Sequence, residues 1–230
     1  MKFKSLLLAT ALVVAPQFAA AEEATTSVYV GAVSDYVWRG VSQANENPSV
    51  YAGVDVTSGP FYLGAWAGSV DWDTAGDTAN LETDVYASYK PTLGPVALEF
   101  GVLGYLYPQA TDLNVWEGKI GASYAAKSGV SVGAALFYSP EVGKDGPSSL
   151  YSEATLGVPL PAKVGPFALG LSGAIGFYDY DDTYEDYTNY KLALTASTEK
   201  GWAVEVGYTD TDTTGALYEG RGYIGLKKTF

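Results

Sequence analysis

Residues 218–230, YEGRGYIGLKKTF, constrain the fold of this chain more than any other stretch. One alternate set is Tyr218, Gly220, Gly222, Ile224, Leu226, Lys228 and Phe230; the other is Glu219, Arg221, Tyr223, Gly225, Lys227 and Thr229. Side chains of an extended chain point alternately to opposite sides, so a period of two with one apolar and one polar face is a strand. This strand runs to its last residue, Phe230. A sheet that closes on itself gives such a strand a partner in the first strand, whereas an open sheet leaves its edge unpaired.

The same period recurs upstream. Alternating segments fall at about 28–38, 49–57, 61–71, 81–91, 96–107, 115–126, 130–138, 150–159, 167–179, 187–199, 202–209 and 218–230. Each has about the length of a tilted strand that crosses a bilayer, ~9–11 residues. Tight Gly- and Pro-punctuated connections, such as Ser58-Gly59-Pro60, Leu93-Gly94-Pro95, Ser128-Gly129, 161–166 and Lys200-Gly201, alternate with longer polar loops at 40–48, 72–80, 108–114, 139–149, 180–186 and 210–217. The expected fold is therefore all-β: an antiparallel transmembrane β-barrel of about 12 strands, with short periplasmic turns and longer outer loops.

Residues 1–21 read as a secretory signal peptide, with Lys2 and Lys4, an apolar run from Leu6 to Val14, and Ala19-Ala20-Ala21 before the cut. Residues 22–230 then form a single barrel domain. Cleavage removes two lysines and no acid, taking the net charge from −13 to −15. An acidic exported chain lacks the basic footprint of a nucleic-acid binder.

Aromatics gather toward the ends of the apolar sets: Tyr36, Trp38, Tyr89, Trp116, Tyr124, Tyr138, Phe167, Phe177, Tyr190, Trp202 and Tyr208. That is the arrangement of interfacial girdles around a lipid-facing wall. A secreted soluble β-sandwich alternates too, burying its apolar face, and stands as the third reading. Lys228 occupies an apolar slot, where its ammonium can snorkel to the membrane interface.

On the barrel reading the polar sets line the lumen. They hold the acids Asp35, Asp55, Glu82, Asp84, Glu99, Glu117, Glu153, Glu205 and Glu219, and the bases Arg39, Lys90, Lys119, Lys191, Arg221 and Lys227. These charges can pair and fill the tube, or they can border a narrow aqueous pore with a cation bias. Arg39, taken at the top of the first strand on the parity of Asp35, belongs either to a charged constriction or to a brace for the first loop. Arg221 and Glu219 on the last strand would meet Arg39 and Asp35 at the closing seam.

The chain contains no His and no Cys. Ser–His and Cys–His nucleophilic arrangements and His- or thiolate-ligated metals are thereby excluded, so no catalytic residue, cofactor or metal is assigned. The acidic, aromatic loop at 179–187 lacks the ligand spacing of an EF-hand, as does the group Asp71, Asp73 and Asp77. Both read as solvated loops that meet the polyanionic outer leaflet through divalent cations.

The end of the chain resembles the C-terminal signature of bacterial outer-membrane barrels, in which a final Phe, here Phe230, serves as an assembly signal. A second resemblance is more particular. The block Ser34-Asp35-Tyr36-Val37-Trp38-Arg39-Gly40-Val41-Ser42-Gln43, followed by Pro48 and by Tyr62-Leu63-Gly64-Ala65-Trp66, resembles the TorF-type family of proteobacterial outer-membrane porins. The resemblance implies outer-membrane location, with lipid, lipopolysaccharide and the barrel-assembly machinery as partners. It also implies passive diffusion of small hydrophilic solutes or ions, the alternative being a non-conducting structural or surface-interaction barrel.

Overall fold

A computed structural model describes residues 24–74, 77–181 and 184–230. The signal-peptide reading of residues 1–21 lies outside them. The described chain is organised into twelve long strands: β1 (Thr25–Val33), β2 (Ser49–Ser58), β3 (Phe61–Thr74), β4 (Asp77–Tyr89), β5 (Val96–Leu106), β6 (Val115–Ala125), β7 (Ser131–Ser139), β8 (Ser149–Val164), β9 (Phe167–Tyr180), β10 (Tyr187–Ser197), β11 (Trp202–Thr211) and β12 (Arg221–Thr229). Each runs antiparallel to its neighbours, and β12 closes the sheet on β1 through Tyr29↔Thr229, Gly31↔Lys227 and Val33↔Gly225. The closed 12-strand antiparallel barrel expected from the alternation is the fold. Closure pairs the backbone of every strand on both sides, as an environment without water requires.

The alternation sorts side chains as the sequence implies. Val30, Val54, Leu63, Ile120, Val132, Leu194 and Ile224 stand exposed on the exterior, and Ile120 keeps 59% of its surface accessible. Tyr89, Trp116, Tyr124, Tyr138, Phe177, Tyr190, Trp202 and Tyr208 are also exposed there. An apolar exterior this continuous is a lipid-facing wall rather than scattered surface hydrophobes.

Tyr36 and Trp38 correct the expected girdle. Strand β1 stops at Val33 rather than reaching 38, and both aromatics lie on a segment that turns into the barrel. Three other boundaries also differ. The stretch 72–80 is largely strand, because β3 extends to Thr74 and β4 resumes at Asp77. Strand β8 continues to Val164 through an irregularity between Pro159 and Lys163, where bulging lets prolines sit in a ladder. Finally β12 begins at Arg221, after a 3-10 turn at Ala216–Tyr218.

Inside, large rings lie against glycines of the next strand. Tyr29 pairs with Gly53 and Tyr51 with Gly31 across β1 and β2, and a Cβ on either glycine would strike the tyrosine ring. Here glycine is demanded by close approach, and part of the chain's richness in Gly and Tyr follows from it. The buried clusters sit in the long-loop half of the tube. One joins Val41 to Tyr151, Tyr178 and Tyr187; the other joins Val70, Ala79 and Ala110, with Tyr36 and Tyr107 packed against it.

At the short-turn end, Lys228 donates to the carbonyl of Lys200 at 2.6 Å and lies 5.8 Å and 4.9 Å from the Trp202 and Phe230 ring centres. Its stem follows the wall while its ammonium caps the β11 turn. Lys228→Met is expected to leave the barrel closed while lowering its unfolding free energy by about 1–3 kcal/mol, because the ammonium also donates to the Thr229 carbonyl at 2.7 Å and two hydrogen bonds are lost. A urea midpoint in detergent micelles measures it, and an unshifted midpoint would remove the cap.

Candidate functional site

The site is the lumen, and the feature that shapes it is a hairpin made from the loop between β1 and β2. Val37–Trp38 pairs with Val41–Ser42 in the register Val37↔Ser42 and Trp38↔Val41, leaving Arg39 and Gly40 as a two-residue turn. Both turn residues have positive φ, 48° and 86°. A two-residue hairpin favours this primed geometry because its twist matches the strands, and glycine adopts it without strain. Arg39 does not, so its side chain must make contacts that hold it there.

It makes several. The Arg39 Nη1 and Nη2 atoms donate to Glu117 Oε1 and Oε2 at 2.6 and 2.7 Å, a two-pronged bridge. Tyr105 donates its hydroxyl to Glu117 Oε2 at 3.1 Å. The guanidinium carbon lies 4.2 Å from the Trp38 ring centre, 4.9 Å from Phe137, 4.0 Å from Tyr151 and 5.1 Å from Tyr178. Arg39 is 6% exposed and Glu117 2%. Burial works against the charge on Arg39, but the Glu117 carboxylate outweighs it and holds the guanidinium well above its ordinary pKa.

The base of the hairpin is tied to the rim. Asp35 accepts from Ser42 Oγ at 2.6 Å and from Arg221 Nη1 at 3.2 Å, and Arg221 also reaches Glu46 at 3.3 Å. Tyr36 and Tyr107 both donate to Glu82 at 2.8 Å. Burial, reinforced by the Glu82 charge, pushes both tyrosine hydroxyls well above their ordinary pKa. The backbone N–H of Asp71 donates to the Gln43 carbonyl at 2.9 Å, stitching the hairpin to β3. At the tip, a Cβ on Gly40 would meet Thr211 Cγ2 at 2.6 Å and the Asn189 Cβ at 2.8 Å, so the turn rests on β10 and β11 while Arg39 reaches β6. The hairpin therefore crosses the bore.

The other interior charges form smaller networks. Glu99 accepts from Lys119 at 2.8 Å and faces Lys90 at 3.3 Å, while Lys90 lies 3.5 Å above the Tyr62 ring. Lys191 bridges Glu205 at 2.9 Å, and Tyr223 donates to the same carboxylate at 2.6 Å. Tyr86 donates to Asp55 at 2.5 Å. Glu153 lies 3.3 Å from the Tyr151 hydroxyl. One buried carboxylate oxygen, Oδ1 of Asp84, has no hydrogen-bond partner among the described residues. Lys227 lies 5.0 Å from the Tyr29 ring. A cavity of about 70 Å³ remains beside the hairpin, bordered by Asp35, Arg39, Tyr151, Glu153, Lys191 and Glu205.

Two of the expected placements change. Glu219 is exposed and outside the lumen, because the chain reaches it through the 3-10 turn before β12 begins. Arg39 is not on the first strand and does not pair with Asp35; the hairpin carries it across to Glu117, and Asp35 is taken by Arg221. Tyr105, Phe137, Tyr151 and Tyr178 join the site beside the charged residues expected from sequence. Each shares the inward parity of a polar set, as Tyr151 does with Glu153, and an aromatic on that parity is the signal that marks them.

A family model described as "Bacterial protein of unknown function (Gcw_chp)" matches residues 17–229. No curated protein matches the chain in sequence. Among solved structures it is similar to the KdgM porin and to the NanC porin, each at a TM-score of 0.57 and 11% identity over 90% of this chain and 99% of the other. It is also similar to LpxR from Salmonella typhimurium, at a TM-score of 0.52 and 11% identity over 89% of this chain and 99% of that one. At such identity the likeness is one of fold.

Proposed function

The chain belongs to the Gcw_chp family of bacterial proteins of unknown function, and we propose that it acts as a narrow outer-membrane channel for small hydrophilic solutes or ions. The observation that carries this reading is the pairing of an apolar exterior with an ionisable interior in one closed wall. A purely structural barrel can fill its interior with aliphatic residues, which avoids the cost of burying charge. The fold shared with two porins supports the same reading, as does the resemblance of residues 34–43 to the TorF-type porins, since that block is the hairpin itself.

Export through the signal peptide, assembly through the strand ending in Phe230, and contact with lipopolysaccharide complete the proposal. No catalytic step is part of it. Selectivity would come from the sign and spacing of charges. With Glu219 outside, the interior acids are Asp35, Asp55, Glu82, Asp84, Glu99, Glu117, Glu153 and Glu205, against Arg39, Lys90, Lys119, Lys191, Arg221 and Lys227. Among the described residues, eight acidic side chains against six basic ones is a formal acidic excess of two groups, which favours cations.

The hairpin across the bore favours a second reading, a barrel that does not conduct. Purified, refolded protein in a planar bilayer separates the two. Unitary steps with a reversal potential displaced toward potassium in a potassium chloride gradient are expected; a silent bilayer would leave the non-conducting barrel.

A further inference from the structure

We propose that the short-turn end of the barrel is a docking surface for anionic phospholipid headgroups, held by Lys127, Lys163, Lys200 and Lys228. The two ends of the wall differ in charge. Among the described residues the long-loop end exposes acids such as Asp71, Asp112, Asp179, Asp186 and Glu219, and Lys144, paired with Asp112 at 3.0 Å, is its only exposed base. The short-turn end is the reverse. Lys127 on the turn after β6, Lys163 next to the last residue of β8 and Lys200 on the turn after β10 are all exposed, and Glu199 is the only exposed acid there among the described residues. None of these three lysines takes part in an ion pair among the described residues.

Their depth on the wall identifies the partner. Phe61, Tyr89, Tyr124, Trp202 and Phe230 stand exposed at the same end, as an aromatic belt does where hydrocarbon meets headgroups. Lys127 follows Tyr124 by three residues and Lys200 precedes Trp202 by two, which places both lysines just beyond the belt, at the level of the lipid phosphates. Lys228 joins them from the wall itself, its ammonium 2.6 Å from the Lys200 carbonyl oxygen and 5.8 Å from the Trp202 ring centre. Unpaired lysines spread over three turns make a positive rim, and its complement is a sheet of negative charge rather than one small anion. The phosphates of an anionic leaflet are such a sheet. The inference rests on the membrane placement of the barrel and not on conduction.

Refolded protein carrying Trp116→Phe keeps Trp202 as its one exposed tryptophan among the described residues, since Trp38, Trp66 and Trp72 are packed inside. It is placed in phosphatidylcholine vesicles that hold a minor fraction of brominated phosphatidylglycerol or, in parallel, of brominated phosphatidylcholine. Quenching of Trp202 then reports which lipid gathers beside it. The anionic lipid is expected to be favoured about fivefold, the equivalent of the about 1 kcal/mol that one lysine contributes at an anionic surface. The preference should fall toward unity in about 1 M salt, where the screening length is ~3 Å. It should fall likewise in Lys127→Gln/Lys163→Gln/Lys200→Gln, whose replaced side chains are exposed, while quenching by brominated phosphatidylcholine persists. Equal quenching by the two lipids before any lysine is changed overturns the lipid surface and leaves the rim to a soluble acidic partner. A preference that survives in the triple variant overturns it too. Quenching by neither lipid defeats the membrane placement and this surface with it. A silent planar bilayer defeats the channel reading alone.

Discussion

Replacing Glu117 by alanine is expected to lower the unfolding free energy of the barrel by about 3–5 kcal/mol, the usual cost of breaking a buried ion pair by removing one partner. The physical cause is the charge left behind. Arg39 is 6% exposed and its guanidinium nitrogens lie 2.6 and 2.7 Å from the two Glu117 oxygens. Without that carboxylate it remains among aromatic rings, whose attraction to a desolvated cation is ~2 kcal/mol, too little to offset burial. The hairpin is then expected to withdraw toward the long-loop rim, where Arg39 regains water. The urea midpoint of refolded protein measures the stability, and proteolysis within residues 36–47 reports the withdrawal. A midpoint within 1 kcal/mol of wild type, with the hairpin still protected, would show that the bridge does not pin it.

Gly40→Val is expected to unseat the hairpin by a different route, leaving both partners of the bridge in place. Gly40 holds φ at 86°, and a Cβ there would sit 2.6 Å from Thr211 Cγ2 and 2.8 Å from the Asn189 Cβ. Left-handed backbone costs an ordinary residue about 1–2 kcal/mol, a β-branched one no less, and overpacking adds about 1–3 kcal/mol. Together these reach the scale of the bridge itself, so withdrawing the loop becomes cheaper than seating it. Gly59→Val is the control: φ there is +55° and nothing lies within 4 Å of a Cβ, so only the backbone cost applies and the lumen should be unchanged. Quenching of tryptophan emission by a water-soluble quencher is expected to rise in Gly40→Val, as Trp38 leaves its contacts with Tyr105 and Tyr178. No difference between the two variants would mean that the turn does not depend on its fit against β10 and β11.

The barrel wall was legible in the sequence because its rule is local. Each strand needs only an apolar set outside and a tolerant set inside, so Glu117 beside Trp116 or Glu205 beside Val206 announces its face. The closing strand, β12, pairs with β1 as that rule implies. The hairpin was not legible for the same reason. Residues 34–39 also alternate, and a strand that stops at Val33 and one that continues to 38 carry the same period. The turn was hidden as well, since Arg39-Gly40 lacks the Asn or Asp that usually marks a two-residue hairpin. Which inward charges meet depends on how the wall curves and where the loop folds. Sequence parity therefore put Arg39 and Asp35 on a common face, but not Arg39 beside Glu117 on the far side of the bore.

If the proposed channel is narrowed by residues 36–47, seated through Arg39 on Glu117, removing that segment should widen it. The most direct measurement is the unitary conductance of the barrel in a planar bilayer with and without that segment, replaced in the variant by a short Gly-Ser turn between Asp35 and Pro48. A conductance several-fold larger in the shortened barrel, with cation selectivity retained by the wall carboxylates, is the predicted result. Equal conductance in the two proteins, or none in either, would contradict it.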